Sequence, residues 1–200
     1  MTKSLTETAG LSELASSIAT HRTESSEKVL KNLKKLNIKS EKIYETIIHC
    51  YLFCGFPAVI ETLKLFKTHF PEFKSEYQGY DILKYNSSGI TNCKLVYKNN
   101  FKKLIANMMD LSPEMKEWMI IEGYGKVMGR KCLNLKEREF LNLSILSTIF
   151  YKNQLHSHLK GCINLGASNS DILYVLKKIK KFTGNENFCK AVKLLNQIAK

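Results

Sequence analysis

Two hundred residues with 44% apolar side chains suffice for one full domain or two small ones sharing a core, and 3 Pro and 10 Gly are too few for a sandwich or barrel rich in turns. The net charge of +13 raises nucleic acid as a partner, but 28 of the 31 basic residues are Lys, spread along the chain, whereas base and phosphate reading favours Arg; no nucleic-acid partner is expected. No stretch approaches the roughly 20 apolar residues of a membrane span, and the opening MTKSLTETAG lacks an apolar signal core, so the expectation is a soluble cytoplasmic protein with no membrane partner.

Helix signals follow one another along the chain. Thr23 can cap a helix over Glu24 to Leu36, and Ser40 another over Glu41 to Phe53. Pro57 suits the first turn of a helix reaching Thr68. From Tyr77 to Asn92 the rhythm breaks, and Ser87-Ser88-Gly89 reads as part of a connector. Additional helices are expected around Leu95–Met109 and Pro113–Met128, the second entered through Ser112-Pro113-Glu114, a cap followed by an N1 proline. Asn134 with Glu137, and Ser168 with Asp171, have capping-box spacing, and Gly166 lies where a helix ending near Leu165 needs a left-handed residue. Apolar residues at Leu155, Leu159, Cys162 and Ile163, and at Ile172, Val175, Leu176 and Ile179, recur with helical spacing. The predicted fold is all-α.

The apolar pattern also recurs at an offset of 129, where Leu30 falls on Leu159, Ile43 on Ile172, Ile47 on Leu176 and Gly55 on Gly184. This predicts a first repeat over residues 1–76, a connector with an extra helix over 77–111, and a second repeat over 112–200. At that offset Glu139 falls on Gly10 and His158 on Val29, so only the second repeat carries an acid and an imidazole.

Those two residues are the candidates for chemistry. Glu139 sits near the start of an apolar helix, where an acid also simply complements the helix dipole. His158 lies between Leu155 and Leu159, a setting that equally suits a core histidine. A plain helical hairpin turning near Tyr151 leaves the two roughly 10 Å apart, so a direct contact requires the second helix to cross back over the first, or the first to end well before Tyr151. The six cysteines form no CxxC and no metal-ligand spacing; Cys50 and Cys54 are poorly spaced for a disulfide on one helix, and free buried thiols are expected.

Taken together, Tyr124-Gly125, Arg130, Leu133, Arg138-Glu139, Gln154-Leu155, His158 and Gly166-Ala167, in that order, resemble the carboxymuconolactone decarboxylase family, which includes alkylhydroperoxidases of the AhpD type. Ile43-Tyr44-Glu45, Tyr51-Leu52-Phe53 and Gly55-Phe56-Pro57-Ala58 extend the likeness to the first segment, so that it covers about residues 10–69 and 112–199. The chain departs from the pattern at Lys131, where many members have proline. The resemblance implies an AhpD-like helical fold and catalytic roles for Glu139 and His158. It also implies a substrate-binding role for Arg130, which would hold a carboxylate, and for Tyr151 and Gln154. No metal or organic cofactor is implied. The partners it implies are a small-molecule substrate, such as a carboxylated lactone or related carbonyl compound, and further copies of the chain in a dimer or trimer. In the peroxidase branch a CxxC precedes the histidine, but here those positions hold Tyr151 and Gln154, leaving Cys162 as the thiol nearest in sequence. A decarboxylase or isomerase is therefore the first expectation. A thiol peroxidase, or a binding or scaffold protein that kept the fold without the activity, are the alternatives.

Overall fold

The computed structural model describes residues 3–77 and 79–198; the outermost residues of the two expected repeats, and Gln78 of the expected connector, lie outside it. Every regular element among the described residues is helical: α1 (Lys3–Ala19), α2 (Thr23–Lys35), α3 (Ser40–His49), α4 (Tyr51–His69), α5 (Ile82–Tyr97), α6 (Phe101–Leu111), α7 (Pro113–Trp118), α8 (Leu135–Ile149), α9 (Lys152–Asn164) and α10 (Asn169–Ile198). A 3-10 turn joins α5 to α6, and α7 runs on into a π-helical segment, Met119–Val127.

Local chemistry sets several helix ends as the sequence implies. Asn134 and Glu137 form a reciprocal capping box, Ser168 and Asp171 each donate a backbone N–H to the other's side-chain oxygen at 3.1 Å, and Ser112 accepts from the Met115 amide ahead of Pro113. Gly166 adopts φ 83° after α9. Thr23 and Ser40, expected as caps, are instead the first helical residues, and neither preceding residue caps through its side chain.

The helix expected to run from Glu41 to Phe53 stops at His49, where α3 and α4 meet at a bend of 118°. No single helix among the described residues is long and apolar enough to cross a membrane. The expected connector is also largely helix. Asp81 caps α5, and Gly89, inside the serine-glycine run, is not a turn residue but a contact point. A Cβ at Gly89 would lie 2.1 Å from the Ile120 carbonyl oxygen, and one at Gly125 would lie 2.0 Å from that of Tyr85. The small residues serve close backbone approach between α5 and the π segment, which composition alone cannot distinguish from a turn.

The core is organised around α8, which is buried without interruption from Glu137 to Ser147. One face, through Leu141 and Ile145, joins the apolar side chains of α1 to α4; another, through Phe140, Leu143 and Leu146, joins those of α9 and α10. A third cluster links Cys93 and Val96 of α5 with Ile120, Tyr124 and Met128. A helix enclosed on all sides needs no amphipathic stripe, and its polar residues must find partners inside the protein.

Backbone features recur at the spacing of 129. Gly55 interrupts α4 at φ 72°, ψ 176°, and Gly184 interrupts α10 at φ 74°, ψ 170°. His21 and Phe150 share left-handed φ values of 55° and 54° just ahead of α2 and α9, both 13 residues long. After those helices the Ile38 amide donates to Leu33 O and the Ala167 amide to Cys162 O, at 3.1 and 2.9 Å.

Candidate active site

Glu139 and His158 are in contact. His158 Nδ1 lies 2.8 Å from Glu139 Oε2, with the carboxylate fully buried and the ring 11% exposed. A plain hairpin would hold them apart, so α9 must cross α8 near Glu139, and Gly161 permits it. A Cβ at Gly161 would stand 2.6 Å from Glu139 Oε2 and 2.9 Å from Val96 Cγ1. Gly161→Ala is therefore expected to push the carboxylate off His158, costing about 1–3 kcal/mol in urea unfolding through overpacking. If Gly161→Ala unfolded at the wild-type urea midpoint, the close fit would not be what holds the carboxylate there.

The other carboxylate oxygen is held as well. Asn142 Nδ2 donates to Glu139 Oε1 at 3.0 Å and lies 3.3 Å from His158 Nδ1. Asn142 Oδ1 is 2.6 Å from Nε2 of His49, a histidine with no exposed surface. An amide oxygen only accepts, so His49 Nε2 carries the proton and donates. That fixes the amide orientation, which in turn presents an N–H to Glu139. Burial, with the nearby Arg138 guanidinium adding to it, pulls the His49 pKa down to about 3, so this ring is neutral and adds no charge to the site. With Nδ1 of His158 committed to Glu139, Nε2 is the ring nitrogen left to act on a ligand. Phe53 meets the His158 ring edge-on at 6.0 Å and fixes its plane.

His158 and Asn142 form one end of a cavity of about 810 Å³. Gln154 and Ser157 of α9 continue its polar edge, and Tyr97, Tyr124, Met108, Met115, Trp118 and Met128 supply much of the remaining wall. Glu139 lies behind the histidine rather than on the cavity surface. Its charge adds to burial in raising Cys93 to about 12, and in raising Cys162 and Tyr124 well above their ordinary values. Cys162 is fully buried and held as a thiol, which removes the nucleophilic form a peroxidase needs.

Arg130, Tyr151 and Gln154 were the expected substrate-binding residues, and the structure brings only Gln154 to this cavity. Arg130 is taken up by Glu45, donating from Nε at 2.8 Å to both carboxylate oxygens and from a terminal nitrogen at 2.6 Å. It borders a different cleft, beside Tyr44 and Phe73. Tyr151 precedes α9, is 59% exposed and is not part of the cavity wall. Asn142 and His49 carry no family signal in the sequence. Asn142 had one local clue, its place three residues after Glu139 in an apolar helix, which puts both on one face. His49 had none, being 93 residues from its partner.

Among the described residues no group of three or more His, Cys, Asp or Glu side chains is placed to hold a metal ion. Compared with models of known protein families and with curated proteins, the chain matches none.

Proposed function

We propose that the chain is a carboxymuconolactone decarboxylase-like protein that catalyses proton transfer on a carbonyl compound, as a cofactor-free lyase or isomerase. The observation that carries this reading is the buried Glu139–His158 pair, set at 2.8 Å with its imidazole on the wall of an 810 Å³ cavity. His158 Nε2 takes a proton from the carbon beside the carbonyl, and the electron pair of the broken C–H bond passes into an enolate. In an isomerisation the imidazolium then returns that proton to another carbon; in a decarboxylation the C–C bond to the carboxylate breaks in place of the C–H bond, its electron pair forms the enolate as carbon dioxide departs, and His158 delivers a proton drawn from solvent. Glu139 accepts from Nδ1–H throughout, holding one tautomer and balancing the charge the ring acquires. The side-chain N–H of Gln154 is the proposed donor to the developing enolate oxygen.

Two copies of one helical unit, the first without the acid–base pair, are part of this proposal. The matched breaks at Gly55 and Gly184 and the equal helix lengths 129 residues apart support it. Against a thiol peroxidase stand Tyr151 and Gln154 at the CxxC positions and the raised pKa of Cys162.

The test is deuterium incorporation from D₂O into a panel of lactones and ketones, followed by NMR, with carbon dioxide release measured for carboxylated members. Turnover above the buffer rate is expected, reduced roughly 10²–10⁴-fold in His158→Gln and substantially in Glu139→Gln. Equal rates for wild type and His158→Gln, or no exchange with any member, would overturn the proposal and leave a non-catalytic binding protein as the better account.

A further inference from the structure

We infer that the cavity selects uncharged, apolar carbonyl compounds, with the carbonyl at His158 and a hydrocarbon body lying against α6, α7 and the π segment. The orientation rests on the proton-transfer reading above in its isomerase form, since the substrate of a decarboxylase carries a carboxylate; the selection against charge rests on the cavity wall alone.

The chain has 31 Lys and Arg in 200 residues, yet none of the described residues bordering this cavity is either. Its one carboxylate is Glu122. Burial pushes that carboxyl up, but hydrogen bonds from Lys126 and Tyr80 outweigh this and hold it below the usual range, so it is an anion with its counter-ion already in place. The buried Glu139 lies behind His158. A ligand carboxylate would therefore give up water for a wall that offers it no cation, beside a Lys126 already paired with Glu122. Arg130, the cation expected to receive it, is occupied by Glu45 beside another cleft.

The walls suit an apolar body. Four of the six methionines, Met108, Met115, Met119 and Met128, border the cavity together with Trp118, the sole tryptophan. Unbranched thioether side chains adapt to ligands of differing outline. The part of the wall that carries Met108, Met115 and Trp118 is lightly anchored, for neither α6 nor α7 contains a buried residue. The cavity volume is that of a typical small-molecule site.

Trp118 makes the test direct, because its fluorescence reports occupancy of the cavity. Wild-type protein is titrated with the nine-carbon methyl ketone and, separately, with nonanoate at neutral pH. A saturable emission change is expected with the ketone, and binding of nonanoate at least about ten-fold weaker. Met108→Lys, on a helix without buried residues, should reverse the order and bind nonanoate the more tightly, with circular dichroism confirming that the helices are retained. Nonanoate binding to wild type as tightly as the ketone would overturn the inference, as would the absence of a saturable change with the ketone. Failure of the proton-transfer reading looks different: the ketone would bind as expected, but its carbon-bound hydrogens would not exchange faster than in buffer.

Discussion

Glu45→Ala is expected to lower the unfolding free energy by about 3–5 kcal/mol, the cost of leaving a buried charge without its partner. The charge is that of Arg138, which has no exposed surface and keeps two nitrogens, Nε and one terminal nitrogen, without a hydrogen-bond partner. Its remaining terminal nitrogen donates to Glu45 Oε2 and to the Arg130 carbonyl, both at 3.0 Å. Burial pulls the Arg138 pKa down even with Glu45 beside it, yet a guanidinium cannot shed its proton near neutral pH. Without Glu45 the cation stays and only the carbonyl faces it. Urea denaturation checks this through a lowered midpoint at unchanged slope. A second variant separates the lost charge pair from a simple cavity: Glu45→Leu combined with Arg138→Met removes both charges and should recover most of the loss. A loss below about 1 kcal/mol in Glu45→Ala would show that Arg138 does not depend on the pair.

The second large effect is on acid stability. His49 titrates at its ordinary value of 6.5 in the unfolded chain but is held down to about 3 in the folded one. Between those values the unfolded chain binds a proton that the native state refuses, so stability is full above pH 6.5 and falls as pH falls through the window. The loss is about 3 kcal/mol by pH 4.5 and about 4 kcal/mol by pH 3. Glu45 adds a separate loss. Its burial raises the carboxyl, but Arg130 and Arg138 outweigh that and lower it below its ordinary 4.5, so its stabilisation disappears only as pH falls below that value. The upper part of the acid limb, from pH 6.5 to 4.5, therefore reports mainly His49, with a smaller share from His156, whose pKa is lowered by burial and by Lys160 and Lys152. Urea midpoints taken across this range should slope in wild type and nearly level out in His49→Gln, while both proteins lose stability below pH 4.5. An unchanged slope in His49→Gln would mean that this ring is protonated in the native state.

The distance between Glu139 and His158 was the point at which local reasoning was most strained. Counting residues back from the turn at Tyr151 separates them by roughly 10 Å, because the count assumes that α9 returns along α8. The observed 2.8 Å contact requires a crossing, and the residue that permits it, Gly161, reads in sequence only as a poor helix former. Arg130 lies away from this cavity for a related reason: its place beside the motif says nothing of Glu45, 85 residues earlier, which claims its guanidinium through two oxygens.

What the sequence determined unaided was what depends on neighbours along the chain. The all-helical class, the capping box at Asn134 and Glu137 and the left-handed turn at Gly166 all follow from spacing within one or two helices. The tertiary structure decided which face of each helix meets which. It alone placed His49 against Asn142, committed Arg130 to Glu45, turned the Ser87-Ser88-Gly89 stretch into a packing surface, and walled the cavity with methionines from α6, α7 and the π segment. The physical reason is that a helix advertises its own ends and periodicity, whereas the partner of a buried polar group is set by packing across the whole chain.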